Sequence, residues 1–343
     1  MKAMITPRAG RRALALSTLI AVGLASGASA QEKEIGFRCA PFGSIMYTVG
    51  NAIQDLTQKR HPTLRVTNAE GPGSTAITVN LMTGGEWVNT IGCTSLLDYT
   101  YAEQGIEPFF AEKHPEVRTD VKVLFNGFYG AIGVLTTDPS IESATDLDGE
   151  PLALGRRAQA HWGGLPALFF EKGMPDTRPD MEFMGTAPSH EALAENRTKA
   201  IISQIVISPD GKQAFKPGVV NQLFASGRDI YLVGFPDAAF QKAVEEGMRF
   251  RPIKVSGDQI PEAVGDRSVN WIFAPAAISV HKDFPEEDAY ELTKFMIENA
   301  DALPDYAATF RVIASGEGLL GDWRADDLHP GALRAYRDAG LIE

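Results

Sequence analysis

Residues 35–56 read IGFRCAPFGSIMYTVGNAIQDL, and the rest of the chain is interpreted around this stretch. Its first five residues predict a short apolar strand, and residues 40–44 predict a loop. Apolar side chains then recur at helical spacing, at Ile45, Val49, Ile53 and Leu56. Ser44 is placed to cap this helix, because its hydroxyl can accept a hydrogen bond from a backbone N–H of the first turn. In α/β proteins such a loop lies at the carboxyl end of its strand, where the helix start offers N–H groups to an anion.

The same strand, loop and helix pattern recurs twice in the next fifty residues. A strand at 64–68 leads into the glycine-rich loop 70–75, and a strand at 88–93 leads into a helix that ends before Gly105. The three loops carry five hydroxyl side chains, namely Ser44, Ser74, Thr75, Thr94 and Ser95. We expect these loops to converge on one crevice. Alternatively, all five side chains are helix caps, the commoner role of Ser and Thr at such positions; the two roles are compatible.

Residues 1–30 have the pattern of a secretory signal peptide. A basic segment without acidic residues precedes the apolar run 13–24, and Ala28-Ser29-Ala30 fits the small-residue cleavage pattern. The alternative is an N-terminal membrane anchor, for which the apolar run is short. The sequence therefore predicts an exported protein that works in the periplasm.

Size and charge narrow the class of protein. Residues 31–343 approach the upper size for one hydrophobic core, so two lobes are expected. The net charge is −12, from 32 basic and 44 acidic residues. So acidic a chain is a poor nucleic-acid binder, although a pocket with local donors can still bind an anion. The histidines are scattered, and we expect neither a metal site nor a cofactor.

Cys39 and Cys93 are the two cysteines of the sequence, and each ends a predicted strand. An oxidising compartment would let them form a disulfide if their strands are neighbours. The alternative is that both are small buried apolar residues.

Arg156 and Arg157 are the most informative charges in the chain, because they follow a buried strand and precede a helix. A guanidinium group matches a carboxylate bidentately, and a helix start adds its own attraction for an anion. Alternatively, one or both are solvated or paired with an acidic surface residue. Ser208 lies in a further loop that either faces the crevice or is only a turn.

Alternating strands and helices predict an α/β fold with two lobes, each a mostly parallel sheet flanked by helices and joined by hinge strands. The run 121–135 is interpreted as two strands with a crossing between lobes near Tyr129, and 271–281 as the return crossing. The predicted organisation is a signal peptide at 1–30, a first lobe at 31–128 and 273–343, and a second lobe at 129–272.

Three segments resemble the TAXI-type solute-binding proteins that serve TRAP transporters. Residues 43–50 are similar to that family's G-G-T-Y-Y-P-V-G, and residues 328–341 are similar to its L-H-P-G-A-x-R-Y-Y-x-E-x-G-L. Residues 271–291 resemble its return crossing and the helix that follows. The resemblance covers nearly the whole chain after the signal peptide.

The resemblance implies a clam-like, periplasmic-binding-protein type II-like fold with a ligand between the lobes and a membrane partner. It places Ser44 and Tyr47 in the cleft, with Ser74 and Thr75 in the second loop. Thr94 and Ser95 stand where the family usually has Gln and a small polar residue. In the segment 156–161, two arginines and Gln159 replace the family's G-S-G-T-E. Acidic amino acids and 2-oxo-dicarboxylates are the family's associated ligands, and two arginines suit a dicarboxylate.

We therefore expect a monomeric binding protein, not an enzyme, that captures a small anionic solute and delivers it to TRAP transporter membrane subunits. Hinge closure would bring both lobes onto the solute. Tyr47 would pack on its carbon chain, although Tyr47 and Tyr129 are equally interpreted as core aromatics. The alternative is a secreted hydrolase acting on a small acidic substrate, but neither G-x-S-x-G nor H-E-x-x-H occurs. A surface antigen without a ligand fits the polar loops less well.

Overall fold

The computed structural model describes residues 32–107, 109–157, 159–248, 250–265 and 267–343. The predicted signal peptide at 1–30 lies outside the described residues. Glu32–Glu343 form one unit by their internal contacts. Across these ranges no helix combines the length and the hydropathy needed to cross a membrane.

The strands of the described residues form one mixed, 11-stranded sheet. In chain order, β1 to β11 are Lys33–Arg38, Leu64–Ala69, Thr90–Ser95, Val121–Thr136, Pro151–Leu154, Asp180–Phe183, Ala200–Ile207, Ala214–Phe215, Tyr231–Val233, Pro252–Ser256 and Ser268–His281.

The α-helices flank this sheet. In chain order, α1 to α11 are Ile45–Arg60, Ser74–Thr83, Leu96–Gln104, Val117–Asp120, Leu165–Gly173, Thr186–Ala194, Gly218–Phe224, Asp237–Glu245, Glu286–Glu298, Gly316–Leu320 and Pro330–Asp338. A π-helical turn, Ala160–Gly164, precedes α5. The 3₁₀ turns are Gly85–Asn89, Ala144–Leu147, Ala300–Asp305, Ala308–Ile313 and Ala325–Asp327.

The sheet has two parallel parts joined by antiparallel strands. Its main order is β2-β1-β3-β11-β4-β7-β5-β6. Strand β1 pairs in parallel with β2 and β3, and β5 pairs in parallel with β6 and β7. Between these parts, β11 is antiparallel to β3 and β4, and β4 is antiparallel to β7. The predicted α/β fold is thus confirmed, with its parallel strands split into two groups.

The interpretation of 121–135 as two strands is wrong, because β4 runs without a break from Val121 to Thr136. The Asn126-Gly127 pair does not end the strand. Instead, the pairing of β4 with β11 is irregular at this point. Phe128 faces Ala276 but Asn126 faces Ala277, so the register shifts across Gly127. One long strand and its partner β11 therefore pass through both parts of the sheet.

The packing of Trp271 against β4 explains why β4 has a glycine at Gly133. Trp271 on β11 is fully buried and donates its indole N–H to the carbonyl of Val233 at 2.9 Å. A Cβ at Gly133 would lie 2.1 Å from the Trp271 ring. The absence of a side chain at Gly133 thus makes room for the indole, which packs the junction between the crossing strands and β9.

Candidate functional site

A small cavity lies where the carboxyl ends of β1 and β3 meet the π-helical turn. Its volume is about 60 Å³, well below the roughly 300–1,000 Å³ of ordinary ligand pockets. We call two groups of lining residues its first and second walls. The first wall is Cys39, Ala40, Pro41, Ser44, Ile45, Met46, Gly73, Ser74 and Cys93. The second wall is Gln159, Ala160, His161, Trp162 and Gln204, and Phe128 and Ala276 of the crossing strands lie between the walls.

The first wall is built from the starts of two helices. Ser44 caps α1 by accepting a hydrogen bond from the backbone N–H of Tyr47 at 3.2 Å. Gly73 precedes α2 with a φ of 120°, a conformation that favours glycine. Both helices lie within the described residues, and neither has an acidic side chain in its first turn. The partial positive charges of the two helix starts therefore act on the cavity, with no carboxylate in the first turn of either helix.

A disulfide between Cys39 and Cys93 joins the two strand ends behind these helix starts. The Cα atoms are 5.3 Å apart, and both residues line the cavity. The sequence left this pairing open, and the structure forms it. The cross-link fixes the end of β1 to the end of β3, so the first wall is covalently tied.

The second wall is positioned by the loop after β5. The backbone N–H of Arg156 donates to Oε1 of Gln159 at 2.8 Å, and the N–H of Gln159 donates to the carbonyl of Arg156, also at 2.8 Å. The π-helical turn then carries His161 and Trp162 past the cavity. Gln204 reaches the same cavity from the middle of β7.

Gln204 and His161 are buried, and each has side-chain polar atoms without a hydrogen-bond partner in the described part of the chain. Both side-chain polar atoms of Gln204 and the Nε2 atom of His161 are unpartnered. Gln204 is 0% exposed and His161 is 8% exposed. Burial lowers the pKa of His161 to about 4, so its ring is neutral at pH 7. Among the described residues that line the cavity, none carries a full charge at that pH.

Of the residues predicted from the sequence, Ser44, Ser74 and Gln159 line the cavity. Thr75 and Ser95 lie behind the first wall, where their hydroxyls donate to the two oxygens of Asp98 at 2.7 and 2.8 Å. Asp98 is fully buried, and that burial raises its pKa. Thr75 and Ser95 thus have an internal partner.

Four further predicted residues are also outside the cavity lining. Thr94 shares a hydrogen bond of 2.9 Å with Thr78 in the core. Tyr47 packs edge-on against Phe42 with ring centroids 5.4 Å apart. The other two lie farther along the chain: Tyr129 stacks on Phe273, and Ser208 donates to Oδ1 of Asp210 at 2.6 Å within a turn.

The structure also does not bring Arg156 and Arg157 into the cavity. Both side chains are exposed, and the guanidinium of Arg157 lies 3.9 Å above the ring of Phe183 on β6. The physical reason is the pair of hydrogen bonds between Arg156 and Gln159, which folds the loop back on itself. That fold turns the Gln159 side chain inward, and the two arginines lie on the outer surface.

Sequence reasoning missed the residues of the second wall except Gln159. A signal for Gln204 was present, because β7 reads AIISQIVI and places one amide in an otherwise almost wholly apolar strand. A polar side chain in a strand buried along its whole length requires a partner or a cavity. His161 gave a weaker signal, since the π-helical turn that orients it has no clear sequence pattern.

Comparison with known proteins gives a family and a fold. The family model described as the NMT1-like family matches residues 37–340. MatC from Rhodopseudomonas palustris with bound malate is similar with a TM-score of 0.50 and 14% identity, over 90% of this chain and 96% of that one. This likeness supports the α/β fold described above.

Two other solved structures are similar at lower scores. A TctC solute binding protein from Polaromonas has a TM-score of 0.45 and 13% identity, over 91% of this chain and 96% of that one. A TRAP periplasmic solute binding protein from Sulfitobacter with bound β-D-galacturonate has a TM-score of 0.43 and 12% identity, over 89% of this chain and 94% of that one. No curated protein sequence matches the chain.

Proposed function

Because the chain belongs to the NMT1-like family, we propose that it is an extracytoplasmic solute-binding protein for a small carboxylate. In this proposal the solute binds in the cavity between the first and second walls. The protein acts as a monomer and delivers the solute to a TRAP-type membrane transporter, as the resemblance to TAXI-type proteins implies. A carboxylate solute fits the malate bound by MatC, a protein of the same fold.

The observation that carries the proposal is the pair of unpartnered polar side chains on the second wall. Gln204 and His161 line the cavity, and both polar atoms of Gln204 and Nε2 of His161 are buried without partners within the described ranges. A buried polar group without a hydrogen bond costs about 1–3 kcal/mol. A solute that bonds to both groups removes this cost, so binding is favoured at this place.

The first wall supplies the attraction for an anion. The α1 and α2 starts face the cavity without acidic residues in their first turns. Helix starts bind carboxylates through free backbone N–H groups and the helix dipole. This source of positive potential replaces the guanidinium groups expected from the sequence, because Arg156 and Arg157 are exposed outside the cavity.

We propose that two lobes open to admit the solute to this small space and then close on it. We propose that residues 31–128 with 273–343 form one lobe and that 129–272 form the other, with β4 and β11 as the connecting strands. The cavity volume of about 60 Å³ is small beside the roughly 300–1,000 Å³ of ordinary ligand pockets. The walls must therefore separate to admit a metabolite, and a solute that contacts both walls favours closure.

A thermal melt against a panel of carboxylates, amino acids and uncharged sugars tests the proposal. We expect at least one small carboxylate to raise the melting temperature by roughly 5 °C at 100-fold excess over its Kd. Sugars of similar size serve as the control and should give no shift. If no carboxylate binds, the proposal is wrong, and turnover of a bound compound would instead support a secreted hydrolase.

A further inference from the structure

We propose that the solute carries a hydrogen-bond donor beside its carboxylate, so that 2-hydroxy and 2-amino acids bind better than 2-oxo or unsubstituted acids. This inference rests on the proposed function and narrows its ligand class. It comes from the hydrogen-bonding capacity of Gln204, which neither family membership nor fold similarity addresses.

The Gln204 amide is held at the cavity by close packing. On β7, Gln204 pairs with Ile132 of β4. A Cβ at Gly130 would lie 2.5 Å from Nε2 of Gln204, so the amide occupies the space that a side chain at Gly130 would need. The amide is fully buried, its two polar atoms have no partner in the described residues, and Gln204 lines the cavity, so we assign these two atoms to a solute bound there.

An amide has two different hydrogen-bonding ends. Its NH₂ group donates and its carbonyl oxygen accepts, and this holds whichever way the amide is oriented. An ionised carboxylate has only acceptors, so it satisfies the NH₂ group and leaves Oε1 of Gln204 unpartnered. A 2-oxo group adds another acceptor. A hydroxyl or an ammonium group supplies the donor that Oε1 needs.

His161 does not change this requirement. Its neutral ring has one donor and one acceptor nitrogen, so Nε2 takes whichever role the solute requires by choice of tautomer. The adaptable imidazole tolerates any polar solute group, whereas the amide oxygen of Gln204 accepts only. Gln204 therefore sets the specificity.

Asn126 provides a matched control for a buried amide without a ligand role. It lies on β4, is 0% exposed, and both its polar side-chain atoms are unpartnered in the described residues. Unlike Gln204, it does not line the cavity. If unpartnered amides were simply a feature of this core, substitution of either residue would have the same effect on binding.

The test measures Kd by calorimetry for acids of one carbon skeleton. The four-carbon set is succinate, oxaloacetate, malate and aspartate, and the five-carbon set is glutarate, 2-oxoglutarate, 2-hydroxyglutarate and glutamate. In the skeleton that binds, we expect the hydroxy or amino acid to bind at least tenfold more tightly than the oxo and unsubstituted acids. Q204M should abolish this preference, and N126L should preserve it.

The variants also separate a ligand role from a structural one. Q204M removes a buried unpartnered amide at nearly constant volume, so we expect the unliganded variant to melt at the same or a higher temperature than wild type. A purely structural glutamine would give a lower melting temperature and unchanged discrimination.

Equal Kd values across a skeleton, or a preference that survives Q204M, would overturn the inference and leave the proposed function intact. Failure of every carboxylate to bind the wild-type protein would overturn both. The Kd values of the wild-type protein for the acids of one skeleton test the inference even if a variant does not fold.

Discussion

The two walls of the cavity differ in how completely their polar groups are bonded. Behind the first wall, Thr75 and Ser95 share the carboxylate of Asp98, and a disulfide ties the strand ends together. On the second wall, both polar atoms of Gln204 and Nε2 of His161 have no partner in the described residues. Both regions contain buried polar side chains, but those behind the first wall are bonded to one another, whereas those of the second wall keep unpartnered side-chain atoms.

This difference distinguishes polar residues that stabilise the fold from polar residues whose hydrogen-bond partner would be the solute. A fully bonded cluster contributes to stability, and its loss should lower the free energy of unfolding. An unbonded group lowers stability until a solute supplies its partner. Substitutions behind the first wall should therefore act mainly on stability, and substitutions in the second wall mainly on binding.

The largest effect is expected from removal of the Cys39–Cys93 disulfide. The two cysteines are 54 residues apart in sequence, and a cross-link closing such a loop stabilises a protein by about 4 kcal/mol on the chain-entropy model. Urea unfolding of C39A/C93A should show a loss of this order. Solute binding should also weaken, because the α1 and α2 starts lose their common anchor.

Reductant provides the control for the disulfide prediction. It should destabilise the wild-type protein and leave C39A/C93A unchanged. Equal stability of oxidised and reduced wild-type protein would show that the first wall does not depend on its cross-link, and the contrast between a tied and an untied wall would not hold.

A smaller loss is expected from D98A. The substitution removes the acceptor of the Thr75 and Ser95 hydroxyls in a buried place, and two such lost bonds cost about 3 kcal/mol in the free energy of unfolding. D98N keeps one acceptor and should lose less. Urea unfolding measures both, with solute Kd as the second readout.

The decisive comparison is between the change in the free energy of unfolding and the change in the solute Kd. We expect the folded D98A protein to bind its solute with a Kd within about threefold of wild type, because Asp98 does not line the cavity. A Kd raised far beyond this, with stability retained, would mean that the Asp98 cluster belongs to the binding site and not to its support.

The sequence predicted the first wall better than the second because the first is built from local patterns. Ser44 caps α1 as its position before an apolar helical period indicates. The repeated strand, loop and helix units and the alternation of elements also gave the α/β fold. Each of these features depends on residues within one or two turns of chain, which single-sequence reasoning detects.

The second wall depends on non-local arrangement. Gln204 reaches the cavity because β7 pairs with β4, and no pattern within β7 fixes that neighbour. Strand β10 was missed as well, since its five residues begin with Pro252, a residue that is uncommon in strands. The continuity of β4 through Gly127 likewise rests on its pairing with β11.

The arginines show the same limit. Residue type and position between a strand and a helix favoured an inward role, but two hydrogen bonds between Arg156 and Gln159 reverse the expectation. Which of several polar residues in a loop faces inward is set by such bonds, and the chain order of residues does not determine it.

The smallest effect is expected from R156A/R157A, which tests whether the positive potential at the cavity comes from helix starts. Both arginines are exposed, and Arg157 stacks on Phe183 at 3.9 Å on the outer surface. Exposed charges outside the cavity are screened by solvent and salt, so we expect the Kd of the solute to change by less than about twofold. Arg178 and Arg157 line the same groove on the outer surface, so R178A is the matched control. A tenfold or greater loss of affinity confined to R156A/R157A would show that the arginines turn onto the solute when the walls close, and the second wall would then bind the carboxylate by charge as well as by the Gln204 amide.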